Sequence, residues 1–197
     1  MNICLVKMTK PLCRSYMREF VMDPALFADQ KNFQPYVYNQ DNCDKYFERH
    51  QNLGRIHFAI LRNDEPIGEI ILKNIAPDQT HCTLSICMKN DACKGKGYGT
   101  AAELLALEFA FNELGCETVY ADALIGNLRS QHVLEKVGFT QTHTDDKFKY
   151  FKCDRSSWNG LQSHLYSRVY HFQIYYSTNR SPTQQNFYFV ALGIGLG

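Results

Sequence analysis

The stretch Lys94-Gly95-Lys96-Gly97-Tyr98-Gly99-Thr100 is where this sequence most clearly offers chemistry. Glycine lets a backbone turn tightly and approach a ligand without a Cβ in the way. Successive amides in such a loop can point inward as a nest for an anion. The apolar segment 83–88 precedes the loop and an amphipathic segment follows it. The loop therefore opens a helix, whose N-terminus adds partial positive charge. Lys94, Lys96 and Lys89 add formal charge nearby. The combination suits a diphosphate; the competing reading is a flexible glycine turn with solvated lysines.

Spacing narrows the ligand. A phosphate loop of the G-x-x-x-x-G-K-[ST] type is absent. Gly97, Gly99 and Ala102 do fit G-x-G-x-x-A, and Asp122 follows at roughly the 20-residue distance of a ribose-binding acid. Against a dinucleotide fold, the apolar strand ends at Met88, several residues before the first glycine, and only one such unit occurs.

The second segment with chemical content is 127–139, NLRSQHVLEKVGF. Asn127 can cap a helix whose Ser130, Val133, Leu134 and Val137 share one face. Gly138 suits a left-handed helix ending and Phe139 the hydrophobic contact that follows one. Beyond these, Glu69 lies on the apolar strand 67–75 and is the candidate general base, with Asp122, His81 and Asp145 as alternatives. No cysteine pair has C-x-x-C spacing and no Cys/His cluster has zinc-ligand spacing, so no metal is expected. The eight cysteines read as free, small hydrophobes.

The elements that must position these residues follow from periodicity and turn chemistry. A first strand is expected over 12–20, then a helix start at Asp23-Pro24. A second helix runs from Asp41 to a stop at Gly54. Strands at 55–62 and 67–75 flank the turn Asn63-Asp64-Glu65-Pro66. The strand 83–88, the glycine loop and a helix from Thr100 to about Leu114 come next. A strand at 118–124, the 127–138 helix and strands near 139–143 and 148–153 complete the pattern. This order predicts an α/β fold with a mixed, mostly antiparallel central sheet and flanking helices. From about Trp158 the composition turns aromatic and polar, so the reading divides the chain into 1–158 and a tail, 159–197.

Composition excludes other classes. The 197 residues are 45% hydrophobic and 21% charged, with net charge +1. That is a globular composition without a nucleic-acid or polybasic membrane surface. No run approaches the ~20 apolar residues that span a bilayer, so no membrane partner is expected. The N-terminus shows no signal-peptide pattern, which predicts a cytoplasmic protein.

The segment 83–115 resembles motif A of the GCN5-related N-acetyltransferases (GNAT), whose pattern Q/R-x-x-G-x-G/A appears here as Lys94-Gly95-Lys96-Gly97-Tyr98-Gly99 with Lys in the first place. Segment 127–139 resembles motif B, N-x-x-S/A followed by a helix and Gly-Phe. The resemblance covers most of residues 12–153. It implies a GNAT-like sheet with splayed strands at the cofactor site, and acetyl-coenzyme A as co-substrate. It places the coenzyme diphosphate on Lys94, Gly95, Lys96, Gly97, Tyr98, Gly99 and Thr100, and pantetheine on Ile86, Cys87, Met88, Asn127 and Ser130. The acceptor is then an amine, on a small molecule or a protein N-terminus. Many relatives carry Tyr where Leu134 stands, as proton donor to the leaving thiolate. The subgroup that acetylates ribosomal-protein N-termini has a serine in motif B, which makes Ser130 the donor here and that subgroup the nearest. The other readings are a non-catalytic acyl-coenzyme A binding module and the dinucleotide fold. The aromatic tail could mediate homodimer contacts.

Overall fold

A computed structural model describes residues 2–24, 30–165, 170–176 and 187–193. The chain starts with a strand, β1 (Asn2–Lys7), and then helix α1 (Lys10–Arg18). The strand expected over 12–20 is thus a helix. Thr9 caps it by accepting from the Leu12 amide, Pro11 sits in its first turn, and Cys13, Tyr16 and Met17 are buried at helical spacing. Three- and four-residue spacing of the buried side chains is what a helix needs to turn one face to the sheet. The helix start at Asp23-Pro24 runs into residues 25–29, outside the described residues.

Helix α2 (Gln40–Asn52) is capped by Asn39, whose side chain accepts from the Asn42 amide at 2.9 Å, and the chain leaves it through Gly54 at φ 62°. Strands β2 (Ile56–Arg62) and β3 (Glu65–Lys73) form a hairpin. Its turn places Asn63 and Asp64 both at positive φ, which Asn and Asp tolerate better than other residues with side chains. Then follow β4 (His81–Met88), helix α3 (Tyr98–Glu108) with a π turn over Phe109–Glu113, β5 (Thr118–Leu124) and α4 (Leu128–Lys136). Strands β6 (Thr140–Thr144) and β7 (Phe148–Asp154) and helix α5 (Arg155–Leu165) lead to β8 (Tyr170–Tyr176) and β9 (Phe187–Gly193).

Among the described residues one sheet holds nine strands in the order β6-β7-β5-β4-β3-β2-β1-β9-β8. Every pairing is antiparallel except β4 with β5. A doubly wound parallel sheet is therefore not what this chain forms. The backbone of β9 pairs with β1, so the tail hairpin continues the same sheet. Helix α5 spans the 158 boundary read from composition, and Trp158 is fully buried against Phe111.

The sheet separates two layers. On one side α3 is buried on all faces and packs with Ile60, Ile70, Leu72, Leu84, Phe111 and Trp158 in the main core. Each such large apolar side chain contributes about 1.5–3 kcal/mol on burial. Arg155 closes the end of this helix: its Nη2 donates to the Phe111 and Cys116 carbonyls at 2.7 and 2.6 Å. On the other side α1 and α2 cover Ala59 and Leu61 with Cys13, Tyr16, Met17 and Cys43. Strands β3 and β4 meet tightly at Gly68. A Cβ there would come within 2.7 Å of the Cys87 carbonyl oxygen, so β3 can lie this close to β4 only with glycine.

Candidate active site

Strands β4 and β5 pair over only three residues, from His81 with Thr118 to Thr83 with Tyr120. Beyond that point they diverge, and β4 keeps only its β3 neighbour. The divergence leaves the β5 side of residues 84–88 without a strand partner. A cavity of about 270 Å³ occupies the wedge, lined by Ile86, Cys87, Asp122, Asn127, Ser130 and Leu134 among others. A second cavity, of about 620 Å³, continues from it between the glycine loop and α4. Ile86, Cys87, Asn127 and Ser130 line both. A volume of that size suits an extended small ligand.

The glycine loop forms the mouth of the larger cavity. Gly95 and Gly97 take φ 71° and 77°, conformations that a residue with a side chain rarely adopts. Gly97 is the N-cap of α3, and its carbonyl accepts from the Ala101 amide at 3.0 Å. The preceding amides have no partner within the helix and face outward with the positive end of its dipole. Gly95, Gly97, Gly99 and Thr100 all line the cavity.

Side chains in the loop behave differently from its backbone. Lys94 does line the cavity, but its ammonium is held by the Asp23 carboxylate and by Asp91 at 2.9 Å. Burial lowers its pKa, but Asp23 and Asp91 together raise it more and prevail. Lys89 points elsewhere, to Glu65 at 2.5 Å and Glu19 at 3.0 Å. The Tyr98 ring is buried in the main core beneath Arg62, whose guanidinium lies 5.2 Å from the ring centre. Lys96 is exposed and lies outside the cavity lining. The loop thus offers the cavity amides and a helix end, with the charge of Lys94 already compensated.

Helix α4 supplies the opposite wall. Asn127 caps it, its side-chain oxygen accepting from the Ser130 amide at 3.1 Å. Its far end is a Schellman ending: the Phe139 amide donates to Leu134 and the Gly138 amide to Glu135, with Gly138 at φ 100°. Leu134 and Val137 are buried, so the helix is clamped by its apolar face and Ser130 is left at the cavity edge. Among the described residues the Ser130 hydroxyl bonds no helix carbonyl.

Glu69 is buried, 5% exposed, on the α1/α2 side of the sheet. One carboxylate oxygen accepts from the Tyr46 hydroxyl at 2.7 Å, and the other lies 2.8 Å from His57 Nε2. Burial and the Glu69 charge raise the Tyr46 pKa far above that of an ordinary phenol. His50 packs against both Tyr46 and His57, and burial, then His57, depresses its pKa to about 4. Glu69 lies directly across from Cys87 in the β3–β4 register. Burial, then Glu69, raises the Cys87 thiol to about 11, which makes it an inert wall of the wedge. Glu69 itself lines neither cavity.

The other candidate bases sit apart. His81 is exposed against Tyr120 at the closed end of the wedge. Asp145 organises the β6–β7 turn, accepting from the Tyr150 hydroxyl and the Phe148 and Lys147 amides, which depress its pKa to about 2. Asp122 lines the smaller cavity. Sequence reasoning missed Asp23, Asp91, Glu103, Arg129, His132 and Lys136, all in the larger cavity's wall. The α4 residues follow Ser130 at helical spacing and could have been found from that face; Asp23 is brought in from 71 residues away by its pairing with Lys94.

Among the described residues no group of three His, Cys, Asp or Glu could hold a metal ion, and no helix is long and apolar enough to cross a membrane. A family model described as an acetyltransferase (GNAT) domain matches residues 4–140. The chain is 33% identical over 97 residues to a Bacillus subtilis (strain 168) protein named "Probable N-acetyltransferase YjcK". That match covers 48% of this chain and 54% of the relative, so the chain spans about half the length of the curated relative it matches. Among solved structures it resembles an aminoglycoside acetyltransferase, AAC(6')-Ib, in complex with coenzyme A, at TM-score 0.68 and 17% identity, over 81% of this chain and 99% of that one. A spermidine N-acetyltransferase SpeG chimera from Vibrio cholerae and hSSAT follows at TM-score 0.64 and 17% identity, over 80% and 98%. At such identities the structural likeness speaks for the fold alone.

Proposed function

The chain belongs to the acetyltransferase (GNAT) domain family, and from that premise we propose that it transfers the acetyl group of acetyl-coenzyme A to an amine by direct attack on the thioester. The observation that carries this reading is the divergence of β4 from β5 after Thr83, because the glycine loop, Asn127 and Ser130 all open onto the gap it creates. The chemistry of the wall fits the coenzyme. Unpaired amides at a left-handed glycine N-cap suit a diphosphate, and a strand edge without a partner suits the amides of pantetheine.

Bound acetyl-coenzyme A supplies the thioester carbonyl and a thiolate leaving group. The chain's residues do the rest. Amides of the 94–100 loop hold the diphosphate end. The open edge of Ile86, Cys87 and Met88 aligns the pantetheine arm and offers a backbone N–H toward the thioester oxygen, worth about 3 kcal/mol when preorganised. Asn127 fixes the start of α4 and with it the Ser130 hydroxyl, which protonates the departing sulfur. The acceptor must arrive as the neutral amine, since an ammonium has no lone pair. Glu69, held by Tyr46 and His57 on the acceptor side of β4, draws the amine's proton through water.

The acceptor is a small-molecule amine or a protein N-terminal α-amine, and the ribosomal-protein N-terminal acetyltransferases are the nearest subgroup on the strength of Ser130. The catalytic unit is residues 1–158, a cytoplasmic enzyme, and 159–197 completes α5 and adds β8 and β9 to its sheet. Calorimetric titration with acetyl-coenzyme A and with NADH, beside Gly97→Glu, tests the cofactor. Micromolar acetyl-coenzyme A binding, lost in the variant, is expected; no binding by the wild type sinks the reading. The second reading, a coenzyme A binding module without catalysis, rests on Leu134 standing where many relatives have Tyr. Free-thiol release with an amine panel separates the two.

A further inference from the structure

Helix α3 is buried on all faces, and one of the residues it buries is a carboxylic acid. Glu103 is 1% exposed, and its Oε2 has no hydrogen-bond partner. The residue nevertheless lines the larger cavity, about one turn beyond Thr100 on the helix whose N-terminus faces the diphosphate. A buried polar atom without a partner is costly, so its presence on a ligand wall points to a ligand that supplies the partner.

The surroundings do not offer one. Across the cavity α4 brings Arg129, His132 and Lys136, and the loop side brings Asp23, Asp91 and Lys94. Lys94 is already held by the two aspartates. None of these makes a hydrogen bond or ion pair with Glu103. Burial alone acts on the carboxyl and pushes its pKa up to about 8. It is therefore mostly the neutral acid at pH 7, and a neutral acid carries an O–H donor that a carboxylate lacks.

We propose that Glu103 is a coenzyme-binding residue that donates, as the neutral acid, a hydrogen bond to an oxygen of bound acetyl-coenzyme A, so that coenzyme binding is coupled to proton uptake. The proposal rests on the acetyltransferase reading of this cleft. When Glu103 is ionised, its negative charge faces the anionic chain of the coenzyme and it must take up a proton before the complex forms. The competent fraction of the enzyme then falls as pH rises through the carboxyl's pKa, and the apparent Kd rises by the same factor. With that pKa at about 8, the rise is about tenfold between pH 7 and pH 9.

Calorimetry with acetyl-coenzyme A at pH 7 and pH 9, in two buffers of different ionisation enthalpy, reads both quantities. The acetyl cap removes the thiol's own titration, and a phosphate monoester is fully ionised well below pH 9. The wild type is expected to bind about tenfold more weakly at pH 9, taking up about 0.9 proton there. Glu103→Gln keeps a donor of the same shape, so its Kd should change less than about twofold over that range, with no uptake. Absence of uptake by the wild type at pH 9 overturns the proposal even if the variant fails to fold. So does a pH dependence that persists in Glu103→Gln. Failure of the wild type to bind at pH 7 overturns the acetyltransferase reading together with it, whereas binding without proton coupling overturns only the role of Glu103.

Discussion

The two sides of the central sheet hold polar groups by opposite means. Toward α3 and α4 the cleft is a backbone device: glycines at positive φ, the N-terminus of α3, and a strand edge left open. Toward α1 and α2 the polar groups are side chains, with Tyr46, His57 and Glu69 bonded to one another beside Cys87. The cleft's amides keep free hydrogen-bonding capacity for a ligand. The carboxylate of Glu69 has both oxygens engaged inside the protein. The comparison teaches that one side leaves backbone donors open to a cavity, while the other closes its side-chain polar groups on one another.

Variants on each side should fail in different ways. The largest effect belongs to the backbone device. Gly97→Glu places a side chain at φ 77° and an anion in the amide nest, so acetyl-coenzyme A affinity should drop by more than about a hundredfold while the fold persists. Near-normal affinity in that variant would show that the amides are not the anchor. Next in size is the side-chain device. Glu69→Ala leaves Tyr46 and His57 buried without their partner, and thermal unfolding should report a loss of about 3 kcal/mol. The milder Glu69→Gln reports on chemistry: an unchanged kcat/KM and pH profile would remove Glu69 from proton transfer.

Ser130 lines the cleft from α4 and, as the proposed proton donor, should act mainly on rate. Ser130→Ala is expected to lower kcat at least tenfold with coenzyme Kd unchanged, and normal turnover would exclude it as the donor. The smallest effect is expected at the residue that looks most like an anion ligand. Lys94 is neutralised by Asp23 and Asp91, so Lys94→Ala should weaken coenzyme binding by less than about threefold. A much larger loss would mean that the lysine leaves its aspartates for the diphosphate, and would blur the line between a backbone cleft and a side-chain one.

Much of the cleft could be read from residue order because its parts are local. Left-handed glycines, an N-cap and a Schellman ending each depend on a few neighbouring residues, and Gly97, Asn127 and Gly138 occupy the places those rules assign. The hairpin turn at Asn63-Asp64 follows for the same reason. Residues 10–18 were harder. Thr9 and Pro11 mark a helix start, but the segment is short, and its apolar spacing competes with a strand until α2 packs on it.

What residue order determined by itself was the run of elements from α2 to β7, the glycine loop and the capped helix opposite it, since each is specified by backbone preferences within a turn or two. The tertiary structure alone decided how charge is distributed around them. Lys94 and Asp23 lie 71 positions apart, Glu69 meets Tyr46 across 23, and Glu103 is buried, at 1% exposure, only in the folded chain. Ionisation depends on which groups and how much water surround a site, and only the folded chain brings those surroundings together.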